Sequence, residues 1–330
     1  MAGLMTGQVV KLDRGFPLVR TPGGAEFRCE HATALVKGEH ERAVIGDFVE
    51  MTLPEGHERA IIDKILPRGN VFVRKDPTER ALPQVLAANF DRVIVAQPLA
   101  EVNVRRLERE LVLAHETGAA VTVVLTKADL AESDEAVAAI RERVRELVGS
   151  SVETLVVTDA APESVEAVRE LVGPGQTAVL IGKSGVGKSS LVNLLVGEHL
   201  QETTDVRESD GKGRHTTVSR EMIDLPGGGR IVDMPGVRGL GLWEAEAGIG
   251  AAFSDVEELA ERCRFRDCRH ENEPGCAVRA AVEAGELSEA RWASYCDLKR
   301  ETEEVRARRE EAERIRTRKG HPRRRKSARK

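Results

Sequence analysis

The stretch GKSGVGKSS, residues 182–190, decides the fold because it satisfies the pattern G-x-x-x-x-G-K-[ST] of a phosphate-binding loop. The apolar run TAVLI precedes it and the amphipathic run SSLVNLL follows it, which predicts a strand, a loop and a helix. Glycines let such a loop wrap around phosphates, and backbone N–H groups at the helix start face the anion. The alternative is a glycine-rich turn without a ligand. The predicted nucleotide-binding residues here are Gly182, Lys183, Ser184, Gly185, Val186, Gly187, Lys188, Ser189 and Ser190.

A second phosphate element follows, where Asp233-Met-Pro-Gly236 comes directly after the strand-like run RIV. It fits the pattern D-x-x-G with which GTPases sense the γ-phosphate. Asp233 is expected to hold a Mg²⁺-bound water, and the Gly236 N–H is expected to approach a γ-phosphate oxygen. Lys188 is expected to bridge the β- and γ-phosphates and Ser189 to ligate Mg²⁺, so magnesium is a predicted cofactor.

Between these two elements lies GKGRHTTVS, residues 211–219, which is polar and rich in glycine. A threonine hydroxyl in this stretch is expected to complete the Mg²⁺ shell when GTP is bound, as in a switch loop ordered by the γ-phosphate. We assign magnesium to Thr217, with Thr216 as the alternative. The stretch can instead be an ordinary flexible loop.

The stretch VLTKADL, residues 124–130, matches the loop [NT]-K-x-D with which GTPases read guanine. Asp129 can accept hydrogen bonds from guanine N1–H and the 2-amino group, a pair of donors that adenine lacks. The next apolar run, TLVVT, also ends in a polar turn, which suits a backbone N–H bond to guanine O6. The residues predicted to bind the base are Thr126, Lys127, Asp129, Thr158, Asp159 and Ala160. Because these loops precede the phosphate loop, the sequence predicts a circularly permuted GTPase domain.

The pattern of apolar runs predicts a multi-domain α/β protein. RVIVAQ, VTVVLT, TLVVT and TAVLIG are each followed by a helix-like segment, which indicates a parallel, doubly wound sheet, and EMIDL-PGGG-RIVDM indicates an antiparallel hairpin. Roughly the first seventy residues contain five short strand-like runs, the number and spacing of an OB-fold β-barrel. Such a barrel either binds an oligonucleotide or packs on its neighbour, and Phe16, Phe27 and Phe48 suit base stacking or a core.

Length and composition indicate a globular protein of two or three domains, since 41% of the 330 residues are hydrophobic. No apolar run approaches the roughly 20 residues of a membrane-spanning helix, and the N-terminus lacks a signal-peptide pattern. We expect a cytoplasmic monomer without a membrane partner. Ten of the 50 Lys and Arg residues lie between Arg314 and Lys330 without an acidic residue, which predicts a disordered tail. That tail suits a polyanion; the alternatives are a solubilising role or lipid contact.

The chain resembles the circularly permuted GTPases of the RsgA (YjeQ) type, which are small ribosomal subunit-dependent GTPases. Besides the permuted elements, the resemblance is carried by IGDFVEM, ILPRGNVFVR, AANFDRVIVAQPL, GRHTT, DMPGVR and CRFRDCRHENEPGCAV. It implies a GTP hydrolase that binds the small (30S) ribosomal subunit and its rRNA, acts in late subunit maturation, and is stimulated by the subunit. The expected domains are an OB-fold (1–72), a permuted GTPase domain (73–243), a helical zinc-binding domain (244–313) and a basic tail (314–330).

The motif CRFRDCRHENEPGCAV has the spacing of a metal site. Three thiolates and one imidazole make a closed tetrahedral set, which fits one structural zinc ion rather than a catalytic ion with an open position. The alternative is a group of unliganded cysteines in a helical hairpin. Cys29 and Cys296 are expected to be ordinary thiols. The predicted zinc ligands are Cys263, Cys268, His270 and Cys276.

The sequence departs from the resemblance in both base loops. Thr126 stands where the family usually has asparagine, and Thr158-Asp159-Ala160 is a loose version of the usual Ser-Ala turn, which puts the rigidity and affinity of the base loops in question. Val237 stands where ordinary GTPases often have a glutamine that orients the attacking water, so slow intrinsic hydrolysis is expected. His215 is the candidate water-orienting group; the alternative is a loop histidine that faces solvent or RNA.

Two other classes of function are open to the sequence. One is an RNA-binding assembly scaffold in which nucleotide binding only regulates. The other is an ATP-using enzyme such as a kinase, which Asp129 argues against because adenine cannot donate two hydrogen bonds to that carboxylate.

Overall fold

The computed structural model describes residues 3–13, 16–37, 41–76, 82–197, 220–234 and 241–320. The chain forms two compact units. The first contains Met1–Val73 and Val85–Leu240, and the second contains Arg74–Gln84 and Gly241–Lys330. The predicted barrel and most of the predicted GTPase domain thus share one unit, and the domain boundaries expected from the sequence stay a prediction.

The N-terminal strands form a closed barrel. They are β1 (Leu4–Asp13), β2 (Phe16–Arg20), β3 (Glu26–His31), β4 (Phe48–Thr52) and β5 (Ala60–Ile65), with helix α1 (Thr33–Lys37) between β3 and β4. β1 pairs with β2 and β4, β3 pairs with β2 and in parallel with β5, and β5 pairs with β4. Side chains that alternate inward, such as Val49 and Met51, are fully buried. This confirms the OB-fold prediction, whereas α1 is an element that the sequence patterns did not predict.

Two strands that were also not predicted follow the barrel. β6 (Val71–Lys75) and β7 (Pro83–Ala88) form a separate two-stranded sheet. β7 contacts the barrel segment before β4, where the Ala88 N–H donates to Ile45 O at 3.0 Å. Gly46 has a φ of +88°, and a Cβ there would lie 1.9 Å from Ala88 O, so this contact requires glycine.

The rest of the first unit is a doubly wound α/β layer. Its strands are β8 (Arg92–Pro98), β9 (Ala120–Thr126), β10 (Glu153–Val156), β11 (Thr177–Ile181), β12 (Arg220–Asp224) and β13 (Arg230–Asp233). Its helices are α2 (Val104–Glu116), α3 (Asp134–Val148), α4 (Pro162–Glu170) and α5 (Lys188–Val196), with short 3-10 helices at Leu99–Glu101 and Ala128–Leu130. The strand order is β10-β9-β8-β11-β13-β12. All neighbours are parallel except β12 and β13, which form the predicted hairpin.

Local signals in the sequence explain where these helices begin. Asn103 accepts the Arg106 backbone N–H at 3.0 Å before α2, and Ser133 accepts that of Ala136 before α3. Proline occupies the first turn of α4, where no N–H is needed. Because the parallel strands end at the same edge of the sheet, the loops that follow them come together there.

The barrel and this α/β sheet are joined edge to edge. β1 pairs antiparallel with β12, so the two form one 11-stranded sheet. Lys11 Nζ lies 2.6 Å from Glu221 Oε2 across the junction, and Arg230 donates to Gln8 Oε1 at 2.6 Å. The barrel is therefore fixed to the edge of the α/β sheet by backbone and side-chain bonds.

The second unit is mainly helical. It contains α6 (Glu246–Ala252), α7 (Ser254–Glu261), α8 (Ala277–Ala284) and the long α9 (Glu289–Gly320). Arg291 binds the Asp255 carboxylate through two nitrogens at 2.8 and 2.9 Å, and Trp292 stacks on Tyr295. Helix α9 extends through Gly320, so the expectation of a disordered tail is wrong for residues 314–320; residues 321–330 lie outside the described part. No helix among the described residues has the length and apolar composition to cross a bilayer.

Candidate functional site

A cavity of about 610 Å³ opens at the edge of the sheet where the parallel strands end. It brings together parts of three predicted elements: the loop after β9, the turn after β10, and the phosphate loop with helix α5. Its volume lies in the range of sites that bind nucleotides and other small ligands. Its lining residues are Thr126, Lys127, Asp129, Leu130, Val157, Thr158, Asp159, Gly187, Ser190, Leu191, Asn193, Leu194 and Gly197.

Glycines give the phosphate loop its close approach to the sheet. Gly182, Gly185 and Gly187 all have positive φ angles, of 150°, 82° and 98°. A Cβ on Gly182 would lie 2.7 Å from Ala96 O in β8. The loop is therefore packed directly on the end of β8, with Lys188 and Ser189 in the first turn of α5.

Thr126 connects two loops. One is the loop after β9 that is predicted to read the base, residues 126–130, called the base-reading loop below; the other is the phosphate loop, residues 182–190. Thr126 is buried, and its hydroxyl lies within hydrogen-bond distance of two carbonyl oxygens, that of Val186 and that of Gln97 at 3.2 Å. A Cβ on Gly187 would lie 3.3 Å from the same hydroxyl. Threonine thus makes a contact between the two loops at the position where the resemblance leads one to expect asparagine.

The next residues present their side chains to the cavity. Lys127 has a left-handed backbone with φ of 58°, and Asp129 follows in a short 3-10 helix. Both are exposed. The end of the Lys127 side chain lies over Gly187, since a Cβ there would be 3.8 Å from Lys127 Cε. This geometry leaves the Asp129 carboxylate able to accept hydrogen bonds from a bound base.

The second polar turn is held by its own side chains. Thr158 donates its backbone N–H to Ser164 Oγ at 3.2 Å, and the Ala160 N–H donates to Thr158 Oγ1 at 3.3 Å. Thr158 and Asp159 line the cavity, whereas Ala160 is not among the lining residues. Ser164 is a supporting residue that the motifs did not reveal.

Lys188 is the charged centre of the phosphate loop. It is 7% exposed, and Nζ donates to Gly182 O at 2.9 Å and to Lys183 O at 3.1 Å. Burial lowers the pKa of its ammonium, and the carboxylates of Asp233 and Glu110 oppose that shift. Asp233 ends β13 and pairs in register with Leu180 near the end of β11, so the carboxylate predicted to hold a Mg²⁺-bound water lies at the sheet edge from which the phosphate loop starts.

Four predicted catalytic residues lie outside the described residues: His215, Thr216, Thr217 and Gly236. The same applies to Val237 and to the end of the tail. Among the lining residues that the motifs missed are Leu130, Val157, Asn193 and Leu194. Leu130 directly follows Asp129 and is 64% exposed.

The second unit contains the predicted metal-binding group. The ligand atoms of Cys263, Cys268, His270 and Cys276 all lie within 4.8 Å of one another. Cys263 Sγ is 3.9 Å from Cys276 Sγ, close to the roughly 3.8 Å edge of a tetrahedron with metal–sulfur bonds of about 2.3 Å. His270 Nδ1 is 3.5 and 3.4 Å from the same two sulfurs. The donor set and its geometry therefore fit one tetrahedral metal ion.

A carboxylate that the motif did not reveal supports this group. Glu273 accepts the backbone N–H groups of Arg269, Glu271 and Asn272 at 2.9 to 3.1 Å, and these residues surround His270. His270 has a left-handed backbone with φ of 61°. Burial lowers the pKa of its imidazole, which favours the neutral form that binds metals.

Comparison with known proteins decides the family. The family model described as RsgA GTPase matches residues 65–243. The chain belongs to the RsgA GTPase family. It is thereby a GTP-hydrolysing enzyme, and the RsgA resemblance found in its motifs is confirmed.

Individual RsgA relatives cover most of the chain. The protein named "Small ribosomal subunit biogenesis GTPase RsgA" from Streptomyces avermitilis is 44% identical over 92% of this chain and 81% of its own length. One of the same name from Xanthomonas axonopodis pv. citri is 46% identical over 79% of this chain and 70% of its own.

Solved structures of RsgA-type proteins are also similar. YjeQ from Thermotoga maritima is 25% identical, with a TM-score of 0.65, over 90% of this chain and 97% of that one. YloQ, described as a circularly permuted GTPase, has a TM-score of 0.62 over 93% of this chain and 96% of that one, and at 24% identity it shows the fold.

Proposed function

We propose that the chain hydrolyses GTP in the cavity of its first unit, binds the small (30S) ribosomal subunit in the GTP-bound state and acts in late maturation of that subunit. The observation that carries the proposal is the meeting of the base-reading loop, the second polar turn and the phosphate loop in one cavity. The printed names of the relatives support the ribosomal part.

Guanine is the base that this site suits. Asp129 offers a carboxylate to the N1–H and 2-amino donors of guanine, and the Lys127 side chain, whose end lies over Gly187, is proposed to lie along the base. Thr126 keeps the base-reading loop against the phosphate loop. Thr158, Asp159 and Ala160 are proposed to form the side of the site near guanine O6.

Phosphate and magnesium chemistry is assigned to the phosphate loop and the two downstream elements. Gly182 to Ser190 are proposed to surround the phosphates, with Lys188 on the β- and γ-phosphates. Mg²⁺, which supplies charge neutralisation on the phosphates when bound, is proposed to be held by Ser189 and by Thr217 or Thr216, with a water held by Asp233. Gly236 is proposed as γ-phosphate sensor and His215 as the water-orienting group.

Zinc is the metal that the Cys₃His group suits. Four protein ligands leave no open position, so the ion is proposed to be structural, one per chain. It is proposed to fix the loop between α7 and α8.

The proposed partners are GTP and GDP, the small ribosomal subunit and its rRNA. The arginines and lysines at the end of α9 and beyond suit the phosphates of rRNA. A cytoplasmic location belongs to the same proposal, because small subunits are assembled there. We also propose that the protein functions as a monomer.

The test is GTP hydrolysis by the purified chain, alone and with purified small ribosomal subunits. We expect slow turnover alone and at least about tenfold faster turnover with the subunit, as for GTPases completed by a partner. Lys188→Ala should abolish both rates. Absence of stimulation would remove the ribosomal part, and normal maturation with Lys188→Ala would favour the scaffold alternative.

A further inference from the structure

A buried carboxylate lies behind the nucleotide loops. Glu110 in α2 is fully buried, and its Oε1 accepts Arg106 Nε at 2.8 Å. Its Oε2 accepts Gln97 Nε2 at 2.5 Å. Gln97 is itself 1% exposed and lies near the end of β8. Burying a carboxylate is costly, and the hydrogen bonds that both oxygens of Glu110 accept offset this cost.

The end of β8 is the surface on which both nucleotide loops pack. Gly182, the first residue of the phosphate loop, lies against Ala96 O so closely that a Cβ would be 2.7 Å away. The Thr126 hydroxyl of the base-reading loop lies 3.2 Å from Gln97 O. Two consecutive residues of β8 thus contact the two loops, and the side chain of the second is bound to Glu110.

We propose that Glu110 is a positioning residue for nucleotide binding, because its carboxylate holds Gln97 and thereby fixes the end of β8 against which the phosphate loop and the base-reading loop pack. The inference rests on the proposed guanine-nucleotide site and adds a residue that touches neither base nor phosphate.

The charged groups around Glu110 make its hold on Gln97 and the end of β8 depend on pH. Arg106 on its own helix and Lys188 in α5 act on the carboxylate, and Asp233 acts on the same lysine. Burial raises the pKa of Glu110 to about 6. When the carboxylate takes up a proton, one oxygen becomes a donor and can no longer accept from both Gln97 and Arg106. The contact with β8 therefore weakens as the pH falls through about 6.

The experiment compares the dissociation constant of fluorescent GDP for the wild type, Glu110→Gln and Glu142→Gln between about pH 5 and pH 7.5. Glutamine keeps the size of the side chain but not its charge. We expect Glu110→Gln to bind about tenfold more weakly at pH 7.5 and to match the wild type at pH 5. Glu142 is exposed on α3, so its variant should equal the wild type throughout. The inference is overturned if the dissociation constant of GDP for Glu110→Gln is within about twofold of the wild-type value at pH 7.5. It is also overturned if the ratio of the two dissociation constants does not change with pH.

A second variant keeps the test decisive if Glu110→Gln fails to fold. Gln97→Met removes the amide and leaves Glu110 bound to Arg106, and it is expected to weaken GDP binding at pH 7.5 by a similar factor. Wild-type affinity in Gln97→Met would also overturn the inference. If the wild type itself binds no GDP, the proposed site is wrong, which is a different result from normal binding by both variants.

Discussion

At the residue scale, one threonine hydroxyl connects two loops of the proposed guanine-nucleotide site. Thr126 lies within hydrogen-bond distance of Val186 O in the phosphate loop and of Gln97 O in β8. A hydroxyl has one proton to donate, whereas an asparagine amide has two. Threonine therefore binds one carbonyl at a time, and the choice of this residue sets how firmly the loops are joined.

Removing that hydroxyl should weaken nucleotide binding. We expect Thr126→Ala to raise the dissociation constant of GDP about tenfold, because a buried loop carbonyl loses its donor. Thr126→Ser, which keeps the hydroxyl, should stay close to the wild type, and Thr126→Asn should bind at least as tightly. Calorimetric titration with GDP measures all four proteins. Equal affinity of the alanine and serine variants would show that the hydroxyl does not join the loops.

Asp129 should decide which base is bound. Asp129→Asn replaces one acceptor oxygen by an amide NH₂ donor, which opposes the 2-amino group of guanine and suits the 2-carbonyl oxygen of xanthine. We expect hydrolysis to change preference from GTP to XTP by at least about a hundredfold, since an unpaired buried polar group discriminates strongly. Competition of the two nucleotides in one hydrolysis assay gives the ratio. A variant that still prefers GTP would place the base elsewhere.

At the element scale, the contact between the barrel and β7 depends on one backbone conformation. Gly46 combines a φ of +88° with an Ala88 carbonyl that would lie 1.9 Å from any Cβ. Gly24, in the turn between β2 and β3, has a φ of +84° and no atom within 4 Å of that position. The two glycines share a left-handed backbone, and they differ in whether a Cβ would overlap with another atom.

The pair provides a matched test of that contact. Gly24→Ala should lower the free energy of unfolding by about 1 kcal/mol, the cost of a left-handed alanine. Gly46→Ala should lower it by more than about 3 kcal/mol, because backbone must also move. Urea unfolding of the two variants measures the difference. Equal losses of unfolding free energy in the two variants would mean that the backbone at the Gly46–Ala88 contact can move to accommodate a Cβ without an energetic cost.

Elements with a strong pattern or a motif could be predicted from the sequence. The parallel strands are continuous apolar runs, and the glycine-rich loop has a fixed spacing, so both were predicted. Helix α1 has only five residues and β7 begins with proline, so neither gives a periodic signal. Glu110 and Gln97 are 13 positions apart and meet only because α2 packs on β8. Ser164 and Glu273 act through backbone N–H groups, which no motif spacing encodes.

At the scale of the whole molecule, the cavity proposed to bind nucleotide and the Cys₃His group lie in different compact units. The second unit has its own helices and its own metal-binding group. Its stability should therefore depend on the metal, while the nucleotide site should not.

Removing the metal should destabilise the second unit and leave nucleotide binding by the first unit unchanged. We expect mass spectrometry to find one zinc per chain, and a zinc chelator to remove it and lower the helical signal from the second unit, since structural zinc contributes folding energy. The affinity for GDP should change by less than about twofold. Cys276→Ser should behave like the chelated protein. This prediction would be contradicted if the zinc-free chain unfolded with an unchanged free energy, or if GDP binding were lost together with the metal.

The edge-to-edge pairing of β1 with β12 also bears on the order of events during synthesis. All five barrel strands lie between Leu4 and Ile65, so the barrel can close soon after it leaves the ribosome. Lys11, in its first strand, meets Glu221 only after 210 further residues have been made. A finished barrel must therefore wait with part of the β1 edge uncovered while the chain grows from Ile65 to Arg220, which is about half of translation. The charge of Lys11 at that edge disfavours pairing with another nascent chain until Glu221 has been made.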